Sequence, residues 1–116
     1  MKDPRKEARE GVERMLQSSA ELRTTLRAAE TTLRRALKKM EGGSDLATAV
    51  FSTEPTTTRS TITEAIEAAE SARHQMRVLI FAAGLEQGMS IGELGRLFGF
   101  SRQLAARYAK EARGET

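Results

Sequence analysis

The sequence predicts an all-α protein with a long N-terminal coiled-coil-like helix and a C-terminal trihelical domain. Three observations carry that prediction. Apolar residues recur at helical spacing over most of the 116 residues, whereas aromatic residues make up only 4% and Trp is absent, which suits helices better than a β-sandwich. Only two prolines interrupt the chain, at Pro4 and Pro55. Ser or Thr followed three residues later by Glu, a helix-starting pattern, stands at Thr61–Glu64 and Ser90–Glu93.

The first helix opens at Asp3-Pro4, where Asp can cap and Pro fits the first helical position. It runs to Glu41, and Gly42-Gly43 supplies the stop. At 1.5 Å per residue it is about 57 Å long and needs a partner along its side. Heptad spacing supplies a seam, with Val12, Ser19, Leu26, Leu33 and Met40 at one core position and Ala8, Met15, Leu22, Ala29 and Ala36 at the other. Leu16 and Leu37 widen it. Self-association into a homodimer is the expected use, with Met15, Leu22, Leu26, Leu33 and Met40 as the dimer seam. A long helix packed against another of its own chain would show the same pattern. The division expected is residues 1–41 for self-association, 42–60 as linker and 61–116 as a helical domain, so that removing 1–41 leaves that domain folded.

Residues 42–60 carry Gly42, Gly43, Pro55 and a Ser/Thr cluster, the composition of a loop, with room for one short helical turn at Asp45–Phe51. A second long helix is expected from the capping box Thr61-Ile62-Thr63-Glu64 to a stop at Gln87-Gly88. Glu64, Glu67 and Glu70 face solvent or the basic first helix rather than a metal.

Ser90-Ile91-Gly92-Glu93 then caps a helix of about eight residues, Gly99 stands where a tight turn needs positive φ, and Ser101 caps a last helix from Arg102 to Arg113. The whole run, Ser90-Ile91-Gly92-Glu93-Leu94-Gly95-Arg96-Leu97-Phe98-Gly99-Phe100-Ser101-Arg102-Gln103, resembles the bacterial helix-turn-helix. The resemblance covers roughly residues 74–113. It implies Gly95 at the close helix crossing, with Leu94, Phe98, Phe100, Ala105 and Tyr108 in the buried slots. Met76–Glu86 would be the preceding helix of the trihelical unit. Ala105 departs from the pattern, which usually carries Val or Ile there. The implied function is double-stranded DNA binding by a dimeric bacterial transcription regulator.

Helix geometry assigns the roles. The start of a recognition helix faces base edges in the major groove. Arg can pair bidentately with guanine and Gln with adenine, so Arg102 and Gln103 are the first candidates for base contacts, followed by Arg107 and Ala106. Ser90, Arg96, Ser101 and Lys110 suit phosphates. Charge agrees: residues 1–41 carry 11 basic and 7 acidic side chains, residues 42–70 carry 1 and 5, and residues 71–116 carry 7 and 4. Arg34-Arg35 with Lys38-Lys39 reads as a solvated helix face more readily than as a second DNA contact.

Other classes are expected to be absent. With no Cys and a single His, His74, disulfides, thiolate zinc sites and His-rich metal clusters are excluded. No Gly-rich phosphate loop or Ser-His-Asp set points to an enzyme, and no cofactor, metal or small-molecule ligand is indicated. No apolar run approaches a membrane span, and Met1 leads directly into charged helix-formers, so a cytoplasmic, nucleoid location is expected. The excess of Arg over Lys and the lack of Asn fit a GC-rich bacterial genome. The alternatives are a nucleoid-associated protein of low sequence specificity and a coiled-coil protein-interaction adaptor.

Overall fold

The computed structural model describes residues 2–115 as five helices, α1 (Pro4–Glu41), α2 (Leu46–Phe51), α3 (Pro55–Glu86), α4 (Ile91–Phe98) and α5 (Arg102–Ala112), with no strand among the described residues. The chain is all-helical and begins with a long helix, as its periodicity predicts. α1 starts where Asp3 Oδ1 accepts hydrogen bonds from the backbone N–H groups of Arg5 (3.1 Å) and Lys6 (3.3 Å). It ends where Gly43 takes φ +92° and the Gly42 and Ser44 amides donate to the Lys38 and Lys39 carbonyls.

The chain forms two compact units, residues 1–16 with 71–116 and residues 17–70. In the first, Gly11 of α1 is buried so closely against α3 that an added Cβ would stand 2.9 Å from Leu79 Cδ1. In the second, Ala29 and Thr32 of α1 border a groove with Thr58 and Ile62 of α3. Within each unit, then, α1 has a partner in its own chain. The two heptad positions part company as a result. Ala29 and Ala36 are buried, and Ala8, Met15 and Leu22 are half-buried. Val12, Leu26, Leu33 and Met40 stay exposed, together with Leu16 and Leu37.

The stretch expected to be a linker is shorter and more ordered than its composition suggests. Asp45 caps α2, its carboxylate accepting from the Thr48 amide (2.8 Å) and the Thr48 hydroxyl (3.0 Å). Those bonds, the amide foremost, hold the Asp45 pKa below its ordinary value. Ala49 and Thr53 are buried beneath this turn.

The expected helix start at Thr61 is incorrect. α3 begins at Pro55, straight after Glu54 at φ +47°, and Thr61 lies inside the helix with its hydroxyl donating to the Thr57 carbonyl (2.9 Å). Pro55 is preorganised for the first helical turn, and the Thr run after it costs only a few tenths of a kcal/mol per residue in helix propensity. Thr58 and Ile62 then border a groove with Ala29 of α1. The Thr61–Glu64 capping box therefore does not form.

Unit 1 holds the larger core. Val78 and Phe81 of α3, Leu94 of α4, and Ala105, Tyr108 and Ala109 of α5 are buried together, with Leu85, Met89, Ile91, Phe98, Phe100 and Leu104 packed around them. Because residues 1–16 belong to this unit, deleting 1–41 removes part of it rather than leaving it whole. No described helix is long and apolar enough to cross a membrane.

Candidate nucleic-acid interface

Two caps and one turn set the positions of α4 and α5. Ser90 Oγ accepts from the Glu93 amide, and the Glu93 carboxylate accepts in return from the Ser90 amide, both at 3.0 Å. The expected capping box is thus present. Its hydrogen bonds, the Ser90 amide first and the Ser90 hydroxyl next, hold the Glu93 pKa below the ordinary carboxylate value. α4 stops at Gly99, whose φ of +69° is the left-handed conformation that favours Gly. The Phe100 amide then donates back to the Gly95 carbonyl (2.9 Å). Two residues after Gly99 the chain enters α5, where Ser101 Oγ accepts from the Leu104 amide (3.1 Å).

The turn brings the helices close at one point. Gly95 is buried, and a Cβ on it would come 2.9 Å from the Ala105 Cβ. Ala105 is small for the same reason: with a branched side chain at 105, α5 could not approach so near. The departure from Val or Ile is matched by the Gly facing it. Phe81, Phe98, Phe100 and Tyr108 then fill the space beneath, with ring centroids 5.1–6.2 Å apart. Phe81 and Leu94 are fully enclosed.

This packing fixes which side of α5 is free. Ala105, Tyr108 and Ala109 point inward. Arg102, Gln103, Ala106, Arg107 and Lys110 are all exposed, as are Ser101 at the cap and Ser90 and Arg96 on α4. By helical periodicity Gln103, Ala106, Arg107 and Lys110 share the outer face, while Arg102 lies on the first turn at the flank of the buried stripe. All eight residues expected to touch DNA therefore lie on one two-helix element, exposed around the turn at Gly99. Ser101 spends an oxygen lone pair on the Leu104 amide, which leaves its hydroxyl hydrogen able to donate to an outside acceptor, whereas the Ser90 hydroxyl is engaged with Glu93.

Two side chains in this unit do work that the pattern of residues does not reveal. His74 of α3 reaches α5: its Nδ1 lies 3.2 Å from the Tyr108 hydroxyl, and its Nε2 lies 2.9 Å from the Glu111 carboxylate. Arg77 places its guanidinium 5.2 Å from the centre of the Phe100 ring. Both link α3 to the segment carrying the exposed Arg and Gln residues. Their partners lie more than twenty residues away in sequence, beyond the reach of local periodicity. No group of three or more His, Cys, Asp or Glu side chains that could hold a metal occurs among the described residues.

No protein family matches the chain, and neither the curated proteins nor the solved structures contain a significant match to it.

Proposed function

We propose that the protein binds double-stranded DNA through a helix-turn-helix formed by α4 and α5, and acts as a transcription regulator. One observation carries this reading. The Ser101-capped helix α5 buries Ala105, Tyr108 and Ala109 and leaves Arg102, Gln103, Arg107 and Lys110 free, on a turn held tight by Gly95 and Gly99. Such a helix can lie in the major groove with its first turn at base edges. Arg102 and Gln103 would read bases, with Arg107 and Ala106 beside them. Ser90, Arg96, Ser101 and Lys110 would hold the flanking phosphates, supported by free amides at the α4 and α5 N-termini.

A single such element reads few base pairs, so the working form is a pair of chains on half-sites about 34 Å, or a multiple, apart. Selection of bound fragments from random and genomic DNA tests this. A two-fold consensus identifies a regulator. Broad occupancy with a steep salt dependence identifies a nucleoid protein, and the absence of binding at low salt overturns the reading.

A further inference from the structure

Unit 2, residues 17–70, has its large and small residues in an unusual distribution. Its buried side chains are Ala29, Ala36, Ala49, Thr53 and Ala69, none larger than Thr. Its large apolar side chains lie outside: Leu33 is 59% exposed, Leu37 55%, and Leu26, Met40, Val50 and Ile66 are exposed as well. Residues this small bury little apolar area. The larger share of what this unit could bury is still in water.

The exposed residues form a surface with both projections and recesses. One open groove of about 290 Å³ runs between Leu33, Ala36, Leu37 and Met40 of α1 and Val50 and Thr53 beside them. A second, of about 330 Å³, continues past Leu33 and Thr53 to Thr58, Arg59 and Ile62 of α3. Leu33 and Thr53 border both, so the two are one apolar trough divided by the Leu33 side chain. A surface with a knob set between its own recesses can meet a copy of itself about a two-fold axis.

We propose that this face of unit 2 is the self-association surface, and that its occupant is the same face of a second chain, giving a four-helix arrangement of two α1–α3 pairs. This rests on the dimeric part of the functional reading and is independent of DNA contact. Charge selects the occupant and its orientation. Residues 17–41 of α1 carry six basic and three acidic side chains, and residues 55–70 of α3 carry one basic and three acidic. Laying α1 of one copy over α3 of the other sets a basic helix against an acidic one twice. Laying α1 on α1 would bring the two basic helices together. The area is also adequate. The α1 portion is about 37 Å long and the α3 portion about 24 Å, each roughly 9 Å across, so the face offers on the order of 550 Å² in projection. Accessible area exceeds projected area, which brings it near the ~800 Å² per partner of a standard stable interface.

The association is measured without DNA, so failure of DNA binding and failure of this interface are read separately. The 116-residue chain at ~50 µM should sediment at twice its 12.8 kDa mass. Leu33→Glu with Leu37→Glu replaces side chains already exposed in the single chain, so far-UV circular dichroism should be retained while the mass falls to one chain. The chain has no Cys, which permits a directional test. A mixture of Leu26→Cys and Ile66→Cys proteins should form the mixed disulfide dimer, at least several-fold in excess of either self-linked product. A monomeric parent chain, a double-Glu variant that stays dimeric, or preferential Leu26-to-Leu26 linkage would each overturn the proposal.

Discussion

Gly95 of α4 and Ala105 of α5 meet with no space for one further methyl group between them: a Cβ at 95 would stand 2.9 Å from the Cβ at 105. Gly95→Ala should therefore lower stability by about 1–3 kcal/mol, although Ala is favoured over Gly in a helix interior by about 1 kcal/mol. Urea denaturation checks this. Adding Ala105→Gly should recover part of the loss, because the clash needs both methyl groups.

The turn residue Gly99 makes a separate requirement, since its φ of +69° strains any β-branched side chain. Gly99→Val should cost about 1–2 kcal/mol, and Gly99→Asn distinctly less, in the same denaturation measurement.

Tyr108 contributes to the core through its ring and to the α3–α5 link through its hydroxyl, 3.2 Å from His74 Nδ1. Tyr108→Phe keeps the ring and should cost about 0.5–1.5 kcal/mol, whereas Tyr108→Ala should cost about 3–5 kcal/mol. Equal losses in the two variants would show that the hydroxyl is what matters.

The Glu93 carboxylate should make stability depend on acid. Its pKa is lowered in the folded chain by the Ser90 amide and hydroxyl, from an ordinary value of 4.5. The charged form's contribution is therefore complete above that ordinary value and is lost as pH falls through the lower folded value. Thermal midpoints of the parent and Glu93→Gln should differ at pH 7 and converge as the pH is lowered through the folded value. A constant gap across that range would remove the charge from the account.

For DNA, Arg102→Ala or Gln103→Ala should relax preference at one position per half-site, worth about 1–3 kcal/mol of discrimination. Lys110→Ala should instead weaken all sequences alike and reduce the slope of affinity against salt by about one ion. Binding-site selection and salt titration separate the two. Full retention of base preference in Arg102→Ala would place a different face of α5 against the bases.

What could be read from the sequence was what is decided locally. The bounds of α1 follow from Asp3-Pro4 and Gly42-Gly43, and the α4 and α5 caps follow from Ser90, Glu93, Gly99 and Ser101, each acting within a few residues. The start of α3 is less legible, because the Ser/Thr cluster reads as a loop and Thr61–Glu64 reads as a cap, while the helix begins at Pro55. The partner of α1 stayed open because a heptad stripe records which side is apolar and not whose chain covers it. Ala29 and Ala36 turned out to face within the chain, while Leu33 and Leu37 did not. His74 could not be tied to Glu111 from sequence, since 37 residues separate them. The exposure of Arg102, Gln103 and Lys110 was expected from periodicity, and the structure places them so.

Gly11 and its neighbours Met76 and Leu79 have a consequence for how the molecule is made. On the ribosome, Gly11 must wait for about 65 further residues before the surface it packs against exists. Residues 17–70, by contrast, form a unit whose ends are both already synthesised by then. Unit 2 is thus free to fold first, and the assembly of unit 1 comes last, after translation has passed α5.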